Sequence, residues 1–332
     1  MKPLLLEFTL PLFGRITFPA YFTMLAVAFI VGLILLERAA RKLHISPLRL
    51  YDMGIFIVVV SLFGARFLHI IADGQFKDYV NLCIAPKKVE VPQGKGGPKV
   101  SVCTKDSQCG DGFQCDTEKS KCYPERDCLT PFKVWRGGLV FYGGFIFAAL
   151  FVIWYLRRFQ LPPWKVMDVF GWIMPLGLFI ARTGCLLNGC CYGKITSVPW
   201  GIRYGRWLGP WEDHMKAGLI EPTAEFSKHV HPTQIYHAGS NLLIFLLAYF
   251  VIRTRKKWDG QVLAFFLVGY ALQRFVFEFF RNDPRGSLLY LSTSQLISLF
   301  VGAIGIWIYI KKPSVKVEQE NAGNQNNQTV SK

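Results

Sequence analysis

Long apolar stretches with few charges constrain the fold of this chain more than any other feature. A helix needs about 20 residues to cross a bilayer, since each residue rises about 1.5 Å and the hydrocarbon layer is about 30 Å thick. Seven stretches reach that length, over residues 16–36, 53–72, 137–156, 169–187, 232–252, 260–280 and 286–310. With 52% apolar residues and a mean hydropathy of +0.28, the chain is too apolar for an ordinary soluble domain. The sequence therefore predicts an all-α integral membrane protein with seven transmembrane helices.

The short loops between these stretches carry unequal numbers of Lys and Arg. One side has 15 and the other has 8, when the long segment between the second and third stretches is left out. Basic residues in short loops favour the cytoplasmic side, so we expect the amino terminus outside and the carboxyl terminus in the cytoplasm. The same bias accounts for much of the net charge of +16, and we expect no nucleic acid partner.

Four segments follow from this pattern. We expect residues 1–73 to hold the first two transmembrane helices and residues 74–136 to form an extracytoplasmic, cysteine-rich insert. Residues 137–312 would contain helices three to seven, with an outer loop at 193–231. The polar residues 313–332, rich in Asn and Gln, are typical of a disordered tail, here on the cytoplasmic side.

Six of the nine cysteines crowd into the insert, which has little apolar content with which to build a core. They are Cys83, Cys103, Cys109, Cys115, Cys122 and Cys128. Disulfides stabilise such segments outside the cytoplasm, and six cysteines allow about 15 pairings, among which the sequence does not choose. A zinc knuckle is the alternative, but the window contains no His and no C-x2-C pair. The sequence thus predicts a disulfide-rich insert, which agrees with its outer placement.

The other three cysteines, Cys185, Cys190 and Cys191, lie at the outer end of the fourth stretch. A buried cysteine is most often a small apolar filler. A redox pair, a metal site and a nucleophile are the alternatives. We assign no metal ligands and expect no cofactor.

Ionisable residues inside the apolar stretches are costly, so each of them is a candidate for function. If successive stretches cross the membrane in opposite directions, five of these ionisable residues lie toward the outer face. They are Arg66, Arg182, Arg274, Glu278 and Arg281. The last three share one helix face, because their spacing is i, i+4 and i+7. Four guanidinium groups facing one carboxylate predict an anionic ligand, and arginine suits bidentate binding of phosphate. A phospholipid headgroup is the expected ligand, with snorkelling of the arginines to the interface as the alternative.

Glycine-rich and polar motifs accompany these charges in four places. The motifs are Gly137-Gly138 with Tyr142-Gly143-Gly144; Arg182 and Gly184 with Asn188, Gly189 and Gly193; the run from His231 to Tyr236; and Gly269-Tyr270 with Arg274, Glu278 and Arg281. Together they resemble the prolipoprotein diacylglyceryl transferase family, over about residues 21–310 apart from the insert. Several separate motifs in the same order make a chance agreement improbable.

The resemblance implies a seven-span enzyme of the bacterial inner membrane with the orientation given above. Members of this family move the diacylglyceryl group of phosphatidylglycerol onto the lipobox cysteine of a prolipoprotein signal peptide, and they release glycerol phosphate. In catalysis Arg274 would polarise the phosphate and Glu278 would orient the arginines. The residues expected to bind substrate are Arg182, Tyr21, Arg66, Asn188, Gly193, His231, Tyr236 and Arg281.

Tyr142 marks the main departure from the family, which has histidine at this position. The acceptor thiol must lose its proton, and the resemblance assigns that catalytic step to Tyr142. Cys185, Cys190 and His237 also stand where the family has Asn, Glu and Glu. Two alternatives therefore stay open: a phospholipid-binding membrane relative without this transfer activity, and a thiol redox or metal-handling membrane protein.

Overall fold

The computed structural model of the 332-residue chain describes residues 4–10, 14–72, 76–89, 103–110, 112–132, 140–282, 287–288 and 291–313. The helices within these residues are α1 (Ala20–Lys42), α2 (Pro47–Ala72), α3 (Phe76–Ile84), α4 (Asp106–Cys109), α5 (Phe141–Arg158), α6 (Pro163–Asn188), α7 (Gly209–Lys216), α8 (Thr233–Leu246), α9 (Gln261–Glu278) and α10 (Thr293–Lys311). The strands are β1 (Leu4–Leu10), β2 (Gly14–Pro19), β3 (Phe113–Asp116), β4 (Lys121–Pro124), β5 (Ser287–Leu288) and β6 (Leu291–Ser292). A π-helical segment, Leu247–Ile252, continues α8.

Six of the described helices are long and apolar enough to cross a membrane, judged by length and composition. They are α1, α2, α6, α9, α10 and α8 with its π-helical continuation. This finding supports the predicted class, a mostly helical membrane protein. The remaining predicted span, 137–156, overlaps α5, which follows residues 133–139 that lie outside the described part of the chain. The predicted disordered tail falls almost wholly on residues 314–332, which are also outside it.

Besides these helices, the described residues form three short β-hairpins, which the sequence analysis did not predict. The first pairs β1 with β2, with Phe8 opposite Ile16, and it contains residues that were predicted to begin the first membrane span. Isoleucine, threonine and phenylalanine before Pro19 favour a strand. Pro19 itself has extended dihedral angles, φ −61° and ψ 133°, at the start of α1. The first helix therefore begins at Ala20.

Two compact units divide the chain, residues 1–51 with 161–332 and residues 52–160. In the first unit α6 packs against α1, α8 and α9, and α10 packs against α9. Gly184 lets α1 approach α6, since a Cβ at this position would lie 2.9 Å from Cβ of Met24. Gly171 does the same for α9, because its Cβ would lie 2.8 Å from the backbone nitrogen of Leu263. The central helix of the first unit is therefore α6.

A buried carboxylate on α6 caps the start of α9. Asp168 accepts hydrogen bonds from the backbone N–H groups of Gly260 at 2.9 Å, Val262 at 2.9 Å and Leu263 at 3.0 Å. Nζ of Lys256 lies 3.2 Å from the same carboxylate. The first N–H groups of a helix have no partner inside it, so Asp168 supplies one and joins the two helices at this end.

The second unit contains α3 to α5 and most of α2. Gly64 allows α5 to cross α2 closely, since a Cβ there would lie 2.5 Å from the Phe147 side chain. Three disulfides, Cys83–Cys128, Cys103–Cys115 and Cys109–Cys122, join the six insert cysteines. Cys115 and Cys122 face each other across the β3–β4 hairpin, yet each is bonded to another cysteine. The prediction that these cysteines form disulfides is confirmed.

Candidate active site

Glu278, the last residue of α9, lies between two guanidinium groups. Its Oε2 is 3.4 Å from Nη2 of Arg274 and 3.9 Å from Nε of Arg281. Glu278 is 9% exposed and Arg281 is 4% exposed, and a buried carboxylate needs opposite charges close by. All three charged side chains lie together, but Arg281 lies beyond the end of α9 and not on the helix face predicted for it.

The start of α10 contacts this charged group. Oγ of Ser292 accepts a hydrogen bond from the Gln295 N–H at 3.2 Å and donates one to Oε1 of Glu278 at 3.3 Å. Oγ of Ser294 accepts a hydrogen bond from Nη2 of Arg274 at 3.1 Å. Because Ser292 caps α10, the helix begins later than the predicted span, which started at residue 286. Sequence analysis missed both serines, since a neutral hydroxyl gives no signal within an apolar stretch.

Arg182 reaches the same region from α6. The buried His237 of α8 lies within electrostatic range of three guanidinium groups, those of Arg182, Arg274 and Arg281. The His237 side chain is 1% exposed. Among the described residues, Glu278 is the carboxylate that forms ion pairs with this group. Positive charges from α6 and from the end of α9 therefore converge around the start of α8.

Gly193 lies where three segments of the first unit meet. Its N–H donates a hydrogen bond to the carbonyl of His231 at 2.9 Å, and the N–H of Lys194 donates one to the carbonyl of Phe280 at 2.8 Å. A Cβ at position 193 would lie 2.7 Å from Cβ of His231 and 2.8 Å from Cγ2 of Thr233. This close packing already requires glycine, and the predicted contact of Gly193 with substrate stays a prediction.

His231 and Tyr236 contact each other beside this junction. Nδ1 of His231 lies 3.2 Å from the Tyr236 hydroxyl, which also accepts a hydrogen bond from Nε1 of Trp200 at 2.7 Å. The His231 ring packs edge-on against Phe280, with the ring centroids 5.0 Å apart. Both side chains are partly exposed, so neither is enclosed in a core.

Tyr21 and Asn188 border the region on α1 and α6. The half-buried Tyr21 lies within electrostatic range of Arg182 and of the three cysteines that form no disulfide. The Asn188 side chain lies close to the Cys190 thiol. The structure therefore gathers Tyr21 and Asn188 around Arg182 and the end of α6.

Arg66 and Tyr142 belong to the second unit. The buried Arg66 donates hydrogen bonds from Nε to the carbonyl of Pro131 at 3.0 Å and from Nη2 to the carbonyl of Thr130 at 2.9 Å. Its guanidinium also lies 5.2 Å from the ring centroid of Tyr79. These contacts anchor the insert to α2, and the predicted substrate role of Arg66 stays a prediction. Tyr142 is in the first turn of α5, and its side chain lies outside the described part of the chain.

A neutral polar network between α8 and α9 was not predicted. Nε2 of Gln273 donates to Oδ1 of Asn241 at 2.8 Å, and Nδ2 of Asn241 donates to the carbonyl of His237 at 2.7 Å. Ser240 donates a hydrogen bond to Gln273. Polar side chains inside apolar spans form hydrogen bonds across helices. The spacing of His237 and Asn241, four residues apart, is the signal that could have indicated this network.

The loop between α6 and α8 has a small core of its own. Tyr192, Tyr204 and Val230 are buried together, and Nε2 of Gln234 donates a hydrogen bond to the Tyr204 hydroxyl at 2.8 Å. Burial raises the pKa of Tyr204 and lowers the pKa of His214, which indicates that both are neutral near pH 7. This core fixes the first residues of α8, next to which the charged groups converge.

Comparison with known proteins gives one consistent result. Residues 121–311 match the sequence profile of the prolipoprotein diacylglyceryl transferase family. A phosphatidylglycerol–prolipoprotein diacylglyceryl transferase of Clostridium tetani is 29% identical over 312 residues, which is 93% of this chain and 97% of the relative. Proteins of the same name from Sinorhizobium medicae and Polaromonas naphthalenivorans are each 34% identical, over 54% and 55% of this chain. Those two alignments cover 61% and 63% of the relatives, so the chain matches less than two thirds of their length.

Proposed function

Since the chain belongs to the prolipoprotein diacylglyceryl transferase family, we propose that it transfers the diacylglyceryl group of phosphatidylglycerol to the lipobox cysteine of a prolipoprotein. In this reaction the acceptor sulfur forms a thioether bond with the glyceryl carbon, and the bond from that carbon to the phosphate oxygen breaks. Glycerol phosphate leaves, and the thiol proton passes to a base. The convergence of Arg182, Arg274 and Arg281 is the observation that supports this proposal most directly.

The arginines can stabilise the negative charge that develops on the leaving group. A phosphate monoester gains negative charge as it departs, and fixed positive groups at that point lower the barrier. Glu278 would hold the guanidinium groups of Arg274 and Arg281 in place, with distances of 3.4 Å and 3.9 Å. Arg182 would bind the headgroup from α6, and the partly exposed Tyr21, His231 and Tyr236 would contact the lipid or the peptide.

The thiol proton needs an acceptor, and we assign this role to Tyr142. The assignment comes from the motif that opens α5, where the family has histidine. A tyrosine with an ordinary pKa of about 10 is a weak base at pH 7, so positive charge must favour its phenolate. The alternative acceptors are the lipid phosphate and His237, which is buried among the guanidinium groups of the first unit.

We place the protein in a bacterial inner membrane with seven spans. The 18-residue apolar helix α5 would be the third span, and the short-loop bias of 15 to 8 basic residues supports a periplasmic amino terminus and a cytoplasmic carboxyl terminus. The three disulfides of the insert agree with a periplasmic position. Partners are then phosphatidylglycerol in the bilayer and signal peptides that carry a lipobox cysteine.

Labelling of a lipobox peptide by purified protein in phosphatidylglycerol vesicles tests the proposal. We expect labelling that stops when the lipid is replaced by phosphatidylcholine, and Arg274→Ala should lower the rate by roughly 100- to 1,000-fold, the usual cost of removing one group that stabilises developing charge. Arg203→Ala, an exposed arginine of the outer loop that contacts His229, is the matched control and should keep the parent rate.

The same assay tests whether Tyr142 is the base that accepts the thiol proton. Tyr142→Phe should lose most of the activity, whereas Tyr142→His should keep much of it with a lower pH optimum. A Phe variant with the parent rate at every pH would exclude Tyr142 as the base and leave the lipid phosphate or His237 as the acceptor. Lipid binding by the parent without any labelling would contradict the proposed transfer and leave a phospholipid-binding relative.

A further inference from the structure

Three cysteines that form no disulfide lie together at the end of α6. The Sγ atoms of Cys185, Cys190 and Cys191 are all within 4.8 Å of one another. Cys185 is buried, at 6% exposure, and the other two are partly buried. Use of cysteine as an apolar filler would explain one buried thiol, but it gives no reason for three sulfur atoms to converge. We call this group the thiol cluster.

The end of α6 folds the chain back to make the thiol cluster. Gly189 has a left-handed conformation, with φ 73°, and its N–H donates to the carbonyl of Leu186 at 3.3 Å. The N–H of Cys190 donates to the carbonyl of Cys185 at 3.2 Å. Such paired bonds reverse the chain after a helix and normally need glycine at the left-handed position. The reversal returns Cys190 and Cys191 to the side of the helix that carries Cys185.

Side chains from α8 hold the backbone of the thiol cluster in this conformation. Cys191 has a φ of 63°, a left-handed conformation that costs a non-glycine residue about 1 kcal/mol or more. Oγ1 of Thr233 donates a hydrogen bond to the Cys191 carbonyl at 2.7 Å, and Nε2 of Gln234 donates one to the Cys190 carbonyl at 2.8 Å. Thr233 and Gln234 are completely buried. The backbone that carries Cys190 and Cys191 is therefore held in place by α8.

The geometry suits a metal ion better than a disulfide. Adjacent residues have Cα atoms about 3.8 Å apart, below the range of about 4.4–6.8 Å usual for disulfides, so Cys190 and Cys191 are a poor pair. A bond from Cys185 to either of them would leave the third thiol unexplained. Metal–sulfur bonds of about 2.3 Å place three sulfurs in a trigonal site about 4 Å apart. The sulfurs of the thiol cluster need to move by less than about 1 Å to reach that spacing.

Charge around the thiol cluster favours the metal-bound form. Three thiolates with a monovalent or divalent cation carry a net charge of −2 or −1. Arg182 and Arg281 lie within electrostatic range of Cys191, and their positive charges offset that excess. Thiolate ligands select soft cations such as Cu⁺ and Zn²⁺ over Mg²⁺ or Ca²⁺.

We propose that Cys185, Cys190 and Cys191 form a binding site for a single soft d¹⁰ cation. The cation is held by three sulfur atoms, and one proton leaves each thiol for solvent when the three metal–sulfur bonds form. No change of oxidation state is involved. Arg182 and Arg281 also belong to the proposed lipid site, but binding of the cation is measured apart from lipid transfer, so the two proposals are tested separately.

Titration of the purified full-length protein with Cd²⁺ alone tests the site. The disulfides of the insert are left intact, and the thiolate-to-metal absorption band and the release of protons are followed together. We expect one Cd²⁺ per chain, and bound Cd²⁺ should protect Cys190 and Cys191 from alkylation. Cys190→Ser and Cys191→Ser should each weaken binding by at least roughly 100-fold, because loss of an outer partner alone costs 10- to 100-fold.

Thr183→Val is the matched control, since Thr183 is near the end of α6 and its hydroxyl bonds to the carbonyl of Ile180. It should bind Cd²⁺ as the parent does. The alkylation measurement on the parent needs no variant, so a misfolded serine variant does not obscure the answer. The proposal is overturned if Cys190 and Cys191 of the parent are reactive thiols and no Cd²⁺ band appears. Isolation with two of the thiols as a disulfide, or unchanged binding in the serine variants, overturns it equally.

Discussion

The two units of this protein use arginine and cysteine in opposite ways. In the second unit, Arg66 donates hydrogen bonds to the carbonyls of Thr130 and Pro131, and six cysteines are paired in three disulfides. In the first unit, three guanidinium groups gather around His237, and the sulfurs of the thiol cluster converge without forming a disulfide.

This comparison shows that an arginine in an apolar stretch does not by itself indicate a substrate-binding site. The groups that contact its guanidinium must also be known. A guanidinium bound to backbone carbonyls holds two pieces of chain together. In the first unit, two guanidinium groups, those of Arg274 and Arg281, lie near the same carboxylate, Glu278. The sequence placed Arg66 and Arg182 in one group because both interrupt apolar stretches. In the structure Arg66 bonds to backbone carbonyls, whereas Arg182 lies within electrostatic range of His237.

The largest expected effect comes from comparing Arg182→Ala with Arg66→Ala in the peptide-labelling assay. Arg182→Ala should reduce transfer by roughly 100-fold or more, because it removes a phosphate contact. Arg66→Ala should reduce transfer by only a few-fold while making the insert more sensitive to protease, since two carbonyls lose buried donors at about 1–3 kcal/mol each. Equal losses of activity in the two variants would return Arg66 to the substrate role predicted from the sequence.

A second comparison concerns stability, and it contrasts the loss of a disulfide with the loss of one thiol of the thiol cluster. Replacing Cys109 and Cys122 together by serine removes a disulfide that joins residues 13 apart, and it should destabilise the insert by about 3 kcal/mol. Cys190→Ser should change stability by less than about 1 kcal/mol, because a partly buried thiol is replaced by a slightly smaller polar group. Proteolysis rates of the native protein measure both effects. A double variant as resistant as the parent would contradict a structural role for that disulfide.

The smallest expected effect concerns how the thiol cluster is held. Thr233→Val keeps the shape of the side chain and removes the hydrogen bond to the Cys191 carbonyl, at a cost of about 1 kcal/mol. Affinity for Cd²⁺ should fall by roughly five-fold, which corresponds to that energy, and the stoichiometry should stay at one. If affinity is unchanged, the left-handed conformation of Cys191 does not depend on α8.

The features that could be predicted from the sequence are those set by residues within a single helix. The pairing of Arg274 with Glu278 followed from helical spacing, although Arg281 lies beyond the end of α9, and most membrane helices followed from hydropathy. The first hairpin was missed because Ile16 and its neighbours are apolar enough to join the membrane span, whereas their strand pairing depends on residues before Leu10. The convergence of Cys185 with Cys190 and Cys191 also escaped prediction, because it depends on the left-handed turn at Gly189 and on hydrogen bonds from α8.

The cap that Asp168 provides for α9 also affects the axial positions of Arg182 and Arg274, which lie near the other ends of α6 and α9. Parallel helices joined at their starts cannot slide along each other, so their axial register is fixed by the three hydrogen bonds at Gly260, Val262 and Leu263. At a rise of about 1.5 Å per residue, Arg182 lies about 21 Å above Asp168, and Arg274 lies about 20 Å above the first residue of α9. The two arginines therefore reach nearly the same height along their helices, because a carboxylate near the other end aligns the helices that carry them.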